Sequence, residues 1–165
     1  MSNSQTSKPK FLYVIYIAST PEKVWQALTD PNVTEKYWFG FRVAANGKVG
    51  EHMTARDPAG KEAHRDVILE SDPPRRLSYA WHPLYDGMKH ERPSRVTIEL
   101  KPYKDQVRLT VVHDEFDEGS VVFEKICNGW PSVLSSLKSF LENGRGLAAP
   151  AWSGEERTEG AKVPA

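Results

Sequence analysis

The stretch EKICNGWPSVLSSLKSFLENG, residues 124–144, constrains the fold more than any other part of the chain. Ile126, Trp130, Val133, Leu134, Leu137, Phe140 and Leu141 recur at helical spacing, which gathers them on one side of a helix. A stripe this wide must be covered by another layer. Ser132, Ser135, Lys138, Ser139 and Glu142 occupy the other side, and Gly144 supplies the left-handed residue that a helix C-terminus favours. The helical region is expected to begin near Gly119 and end at Asn143. Within it Asn128-Gly129-Trp130-Pro131 is expected to interrupt the helix with a kink near Asn128, because proline has no N–H and crowds the carbonyl four residues back.

Most of the preceding chain reads as strands, so the partner of the stripe is a sheet. Phe11 to Ala18 is apolar, rich in Val, Ile and Tyr, and too short to span a bilayer. It is a strand, and no signal-peptide cleavage site follows it. Thr20-Pro21-Glu22 then caps and starts a helix whose apolar side is Val24, Trp25 and Leu28, and Asp30-Pro31 ends it. Asn32 is expected to cap a second short helix, 33–37. From Phe39 onward short apolar runs divided by turn residues predict antiparallel strands at 39–45, 49–56, 62–71, 76–83, 94–102 and 106–116. Asn46-Gly47 and Pro58-Ala59-Gly60 are the expected hairpin turns, with Pro102-Tyr103-Lys104-Asp105 a weaker one. The polar segment 84–93 is long for a hairpin and is expected to be a mobile rim. Residues 1–9 and 146–165 are expected to be a disordered leader and tail around one domain at 10–145.

Alternation assigns the faces of these strands. Val96, Ile98 and Leu100 share one side of their strand against Arg95, Thr97 and Glu99; in the next, Leu109, Val111 and His113 share the apolar parity. Val67 and Leu69 are expected to face inward against Asp66, Ile68 and Glu70, as are Leu77, Tyr79 and Trp81 against Ser78, Ala80 and His82.

The order strand, two short helices, six strands and a long C-terminal helix resembles the α+β helix-grip fold of START-like and birch-pollen-allergen-like proteins. Several segments are similar to those of the bacterial SRPBCC proteins related to the activator of heat-shock chaperone ATPase. They are TPEKVWQALT (20–29), KYWF (36–39), DPPRRL (72–77), SRVT (94–97), LTVVH (109–113), and Gly129-Trp130 followed by Leu134, Leu137, Lys138, Leu141 and Glu142. The resemblance covers residues 10–145. It implies a curved seven-stranded sheet wrapped on the last helix with a cavity between them. Trp38, Phe41, Met53, Val67 and Leu69 are expected to line that cavity, with Tyr79, Trp81, Val96, Ile98, Val111 and His113 from the later strands. Phe123, Ile126, Trp130 and Leu134 would close it from the helix.

The chain of 165 residues has 22 basic and 22 acidic side chains, so no net field draws it to nucleic acid. Its single cysteine, Cys127, rules out an internal disulfide and fits a cytoplasmic protein. His52, His64, His82 and His90, with Asp66 and Glu91, show no metal-ligand spacing, and no phosphate-cradling or dinucleotide-binding glycine pattern is present, so neither metal nor cofactor is expected. His113 has two readings: a ligand-orienting or acid–base group in the cavity, or a core histidine satisfied by its neighbours. The functional expectation is a binder of a small apolar or aromatic ligand, monomeric or homodimeric. The alternatives are a chaperone-associated, stress-response interaction module, or an enzyme working by acid–base chemistry at His113.

Overall fold

The computed structural model describes residues 8–150. Trp152 and most of the expected leader and tail lie outside them. In order the elements are β1 (Phe11–Ile17), α1 (Pro21–Thr29), α2 (Pro31–Tyr37), β2 (Arg42–Ala44), β3 (His52–Arg56), β4 (Glu62–Asp72), β5 (Arg76–Trp81), β6 (Ser94–Tyr103), β7 (Gln106–Asp114) and α3 (Val121–Asn143). The strands form one curled antiparallel sheet in the order β1-β7-β6-β5-β4-β3-β2, and α3 lies in its grip. This is the helix-grip fold.

Local chemistry explains the helix ends. The Thr20 hydroxyl accepts from the Lys23 N–H, with Pro21 as the first residue of α1. Asp30 closes α1 and caps α2 through its side chain, which accepts from the Asn32 N–H at 2.9 Å. The second helix thus starts at Pro31, with Asp30 rather than Asn32 as its cap. Ser120 caps α3, and Gly144, at φ 79°, ends it in the left-handed conformation. α3 runs unbroken through Pro131, contrary to the expected interruption. One deleted hydrogen bond is outweighed by the burial of Val122, Ile126, Trp130, Val133, Leu134, Ser136 and Leu137 along the same helix.

Two other expectations are corrected. Residues 39–41 are not a strand: Phe39 has φ 51° and Phe41 donates its N–H back to the Trp38 carbonyl. Asn46-Gly47 is not a two-residue turn, since β2 and β3 are joined by the seven residues 45–51. The turn at 57–61 is as expected, with Gly60 at φ 86° and the Asp57 carboxylate accepting from the Lys61 N–H.

The core fills the space between the sheet and the three helices. β6 and β7 contribute Val96, Ile98, Leu100, Val107, Leu109 and Val111, and α3 answers with Leu134 and Leu137, all fully buried or nearly so. In β4 the parity is the reverse of that expected. Asp66 and Ile68 face the core, whereas Val67 is half-buried on the other side and Leu69 is 45% exposed. The pairing with β5 shifts register between Ile68 and Glu70, so one residue is accommodated as a bulge. Among the described residues no helix is long and apolar enough to cross a membrane.

Chain beyond α3 stays in contact with the domain. Leu147 donates its N–H to the Ser136 hydroxyl at 2.8 Å and Ser139 donates its hydroxyl to the Arg145 carbonyl at 2.7 Å. Gly146 lies so close to α2 that a Cβ there would sit 2.6 Å from the Lys36 carbonyl.

Candidate functional site

Hairpin register places His113 opposite Val96, on the concave side of the sheet and facing α3. Its ring is fully buried and spoken for on both sides. Nδ1 accepts from the Trp130 indole N–H at 3.0 Å, and Nε2 lies 2.7 Å from the Ser94 hydroxyl. An accepting Nδ1 puts the proton on Nε2, which then donates to Ser94. Burial pushes the pKa of His113 down to about 3, against a weaker pull upward from Asp114. The imidazole is therefore neutral, and it joins β6, β7 and α3 through side chains alone. Phe116 and Trp81 flank it, with ring centres at 4.7 and 5.4 Å.

On the other side of Trp81 a second polar group is buried. His64, from β4, has its ring centre 5.2 Å from that of Trp81 and 6.4 Å from the nearly parallel ring of Phe41, with Tyr85 edge-on at 6.2 Å. Its Nδ1 is 3.6 Å from the carboxylate of Asp66, the residue two positions along the same face. Asp66, 1% exposed, accepts from the His82 N–H at 2.9 Å. Tyr79, next to it on β5, is also buried; its hydroxyl is pushed well above its usual pKa, first by burial and then by the Asp66 charge. Among the described residues neither His64 nitrogen nor the Tyr79 hydroxyl makes a protein hydrogen bond.

The rim above these groups is held by Glu91 of the β5–β6 connection. Its carboxylate accepts from the backbone N–H groups of Val121 and Val122 at 3.0 and 3.2 Å and from the Ser120 hydroxyl. A negative charge on the first turn of α3 is well placed against the helix dipole. Arg92 reinforces the join through Asp117 at 2.9 Å. The segment 84–93, expected to be a mobile rim, is thus fastened at its far end.

A curled sheet gripping one long helix is shared by many proteins, but a sequence-family model discriminates further. The model described as Activator of Hsp90 ATPase homolog 1-like protein matches residues 18–142. The chain belongs to this family. Solved structures agree on the fold. A protein from Mesorhizobium loti is 24% identical, with 81% of this chain and 97% of that one aligned at a TM-score of 0.70. The Aha1 dimer from Colwellia psychrerythraea is 22% identical over 84% of this chain and 99% of its own, at 0.68. An HSP90 activator from Plasmodium falciparum is 20% identical over 73% and 86%, at 0.60. Compared by sequence with curated proteins, the chain has no significant match.

In this member of the Hsp90-activator-like family, the residues other than His113 expected to line a cavity divide into three groups. Met53, Tyr79, Val96, Ile98, Val111, Ile126, Trp130 and Leu134 do face inward, but they are buried in the packed core. Trp38, Trp81 and Phe123 are half-buried at its margin, with Trp38 and Trp130 5.9 Å apart and Phe123 5.1 Å from Phe116, and Phe41 is half-buried against His64. Val67 and Leu69 belong to the outer face and line no inner surface. Sequence reasoning missed Ser94, His64, Asp66 and Glu91 as parts of this constellation. The signal for Ser94 was its parity with Val96; that for His64 and Asp66 was their spacing of two in one strand.

Two concavities lie elsewhere. One, of about 430 Å³, is a groove on the outer face of the sheet, where Arg76 pairs with Glu70 and Glu99 and Arg95 pairs with Asp114. The other, of about 320 Å³, is formed by Phe39, Pro131 and Ser135 against Leu147 and Pro150. Among the described residues no three His, Cys, Asp or Glu side chains come together as a metal-holding group.

Proposed function

We propose that this chain binds a small apolar or aromatic ligand between the concave face of the sheet and the N-terminal half of α3. The observation that carries this reading is the belt of half-buried rings Trp38, Trp81 and Phe123, with Met88 from the rim, at the margin of an otherwise closed core, beside Phe41 stacked on His64. Removing such a surface and a ligand's own apolar surface from water contributes about 25 cal/mol per Å² before ordering costs. The ligand enters by displacing rim side chains. Native mass spectrometry of the purified protein, together with titration of the apolar fluorophore N-phenyl-1-naphthylamine, tests it. A retained small molecule, or saturable fluorophore binding weakened by Trp81→Ala, is expected. A bare chain that leaves the fluorophore unbound would end this reading.

A second reading, interaction with a chaperone of the Hsp90 type, draws on the family and on the names of the Plasmodium and Colwellia relatives. Its own structural support is the outer face of β1, where Leu12 is 61% exposed beside Val14 and Tyr16. A cytoplasmic, stress-response role goes with this reading. Leu12→Ser with Val14→Ser should weaken capture of the chaperone and any change in its ATPase rate. A chaperone that neither binds the native chain nor changes its rate would count against it.

A further inference from the structure

Three polar side chains converge on the inner face of β4 and β5 without satisfying one another. His64 and Asp66 are 7% and 1% exposed, and Tyr79 is 5% exposed. Buried polar groups are nearly always hydrogen-bonded, because leaving one unpaired forfeits the bonds it made to water. Here the His64 nitrogens and the Tyr79 hydroxyl have no protein partner among the described residues. The Asp66 carboxylate spends one oxygen on the His82 N–H, while its other oxygen meets only His64 Nδ1, at 3.6 Å, beyond hydrogen-bonding reach.

What covers these groups is also unusual. Their roof consists of Phe41, Trp81 and Tyr85, rings that are themselves partly open to solvent. Contrast His113, fully buried in the same core, where Ser94 and Trp130 occupy both nitrogens. One histidine is a finished structural element. The other is presented, with a carboxylate and a phenol beside it, under rings that can accept a flat partner.

We propose that His64, Asp66 and Tyr79 form a recognition site for the hydroxyl group of a planar aromatic ligand, a phenol or naphthol, whose ring lies among Phe41, Trp81 and Tyr85. This rests on the cavity reading above and names the ligand class it takes. Asp66 accepts the ligand O–H, Tyr79 donates to the ligand oxygen, and His64 fills whichever role its tautomer leaves. A charged acceptor makes the stronger kind of hydrogen bond, so most of the discrimination falls to Asp66. A ring lacking the hydroxyl would leave the carboxylate as poorly paired as before, and such a site rejects it for that reason.

The experiment compares 2-naphthol with 2-methoxynaphthalene, which has the same ring system but no donor, by calorimetric titration of the full chain. A preference for 2-naphthol of about tenfold or more is expected, the size of one hydrogen bond to a charged acceptor. Asp66→Asn should reduce that preference to within about threefold, whereas Tyr79→Phe, which removes a donor to an oxygen both probes carry, should weaken both and leave the preference in place. Equal affinity for the two probes in the native protein would overturn the proposal and leave the cavity reading standing. A preference that survives Asp66→Asn unchanged would likewise overturn it. Failure of both probes to bind would remove the cavity reading and this proposal together. The native comparison decides even where a variant does not fold.

Discussion

Trp130 on α3 donates its indole N–H to Nδ1 of His113 on β7, a 3.0 Å bond between two buried rings that joins helix to sheet at mid-grip. The bond requires an unprotonated acceptor. A proton on Nδ1 would turn the contact into two donors facing each other in a site with no water-accessible surface.

Acid should therefore weaken the fold through this residue. His113 has a pKa of about 3 in the folded chain against an ordinary 6.5, so its contribution is complete above about pH 6.5. As pH falls the unfolded chain takes up a proton that the folded one refuses, and the contribution is lost progressively down to about pH 3. Between pH 6.5 and 5 the loss should be about 2 kcal/mol. His113→Gln, which cannot titrate, should be less stable than the native protein at pH 7 but lose less on going to pH 5. Urea midpoints at the two pH values measure this. Parallel losses in the two proteins would show that His113 titrates normally in the fold.

The reversed facing of β4 makes a paired test. Ile68→Ala should cost about 2–4 kcal/mol because it opens space in the core. Leu69→Ser, on the outer face, should change stability by less than about 0.5 kcal/mol. Thermal or denaturant unfolding separates the two, and a larger cost at Leu69 than at Ile68 would turn the strand to the opposite facing.

Glu91 caps a helix from a distant loop, so its loss should be felt in two places. Glu91→Ala should destabilise the chain by about 1–2 kcal/mol through the unpaired N–H groups of Val121 and Val122. Hydrogen exchange should speed up both at 121–123 and at 88–92. Acceleration at the helix alone would mean that the loop is held by something else.

Gly146→Ala should release the chain beyond α3, since the added methyl meets the Lys36 carbonyl and the Cα of Tyr37. The expected sign is faster exchange of the Leu147 amide, which is bonded to Ser136 in the native fold. Global stability should fall by no more than about 1–2 kcal/mol, because the segment lies outside the core.

The strength of periodicity decided which parts of this structure could be read in advance. The paired strands β6 and β7 alternate cleanly and their facing follows the pattern residue by residue, while α3 follows its stripe from Ile126 to Leu137, with Ser136 buried beside it and Phe140 and Leu141 half-buried. In β4 the run Val67-Ile68-Leu69 is apolar on both faces and carries no parity of its own. The flanking carboxylates Asp66 and Glu70 share the parity of Ile68, and pattern alone places them outside, whereas the fold buries Asp66. Burying a carboxylate is expensive, and nothing in the neighbouring residues announces that the His82 N–H, far along the chain, will meet it. Pro131 does not divide α3 for a different reason: propensity is local, and seven buried residues of the helix outweigh one missing bond. The candidate site lies where these local rules fail. Its β4 residues His64 and Asp66 sit on a face that pattern assigns to the outside, and its rim is fixed by a cap, Glu91, separated from its helix by two strands.

That long-range cap divides the β5–β6 connection into two stretches with different freedom to vary in length. Insertions at the exposed Asp86-Gly87 tip keep the Glu91 N–H on the Met88 carbonyl and its carboxylate on α3, so this short span can be rewritten to change what passes the mouth. An insertion between Glu91 and Ser94 would instead slide the carboxylate off the first turn of α3. Grafted loops for altering ligand choice therefore belong on the near side of Glu91, with the helix start serving as a fixed docking post.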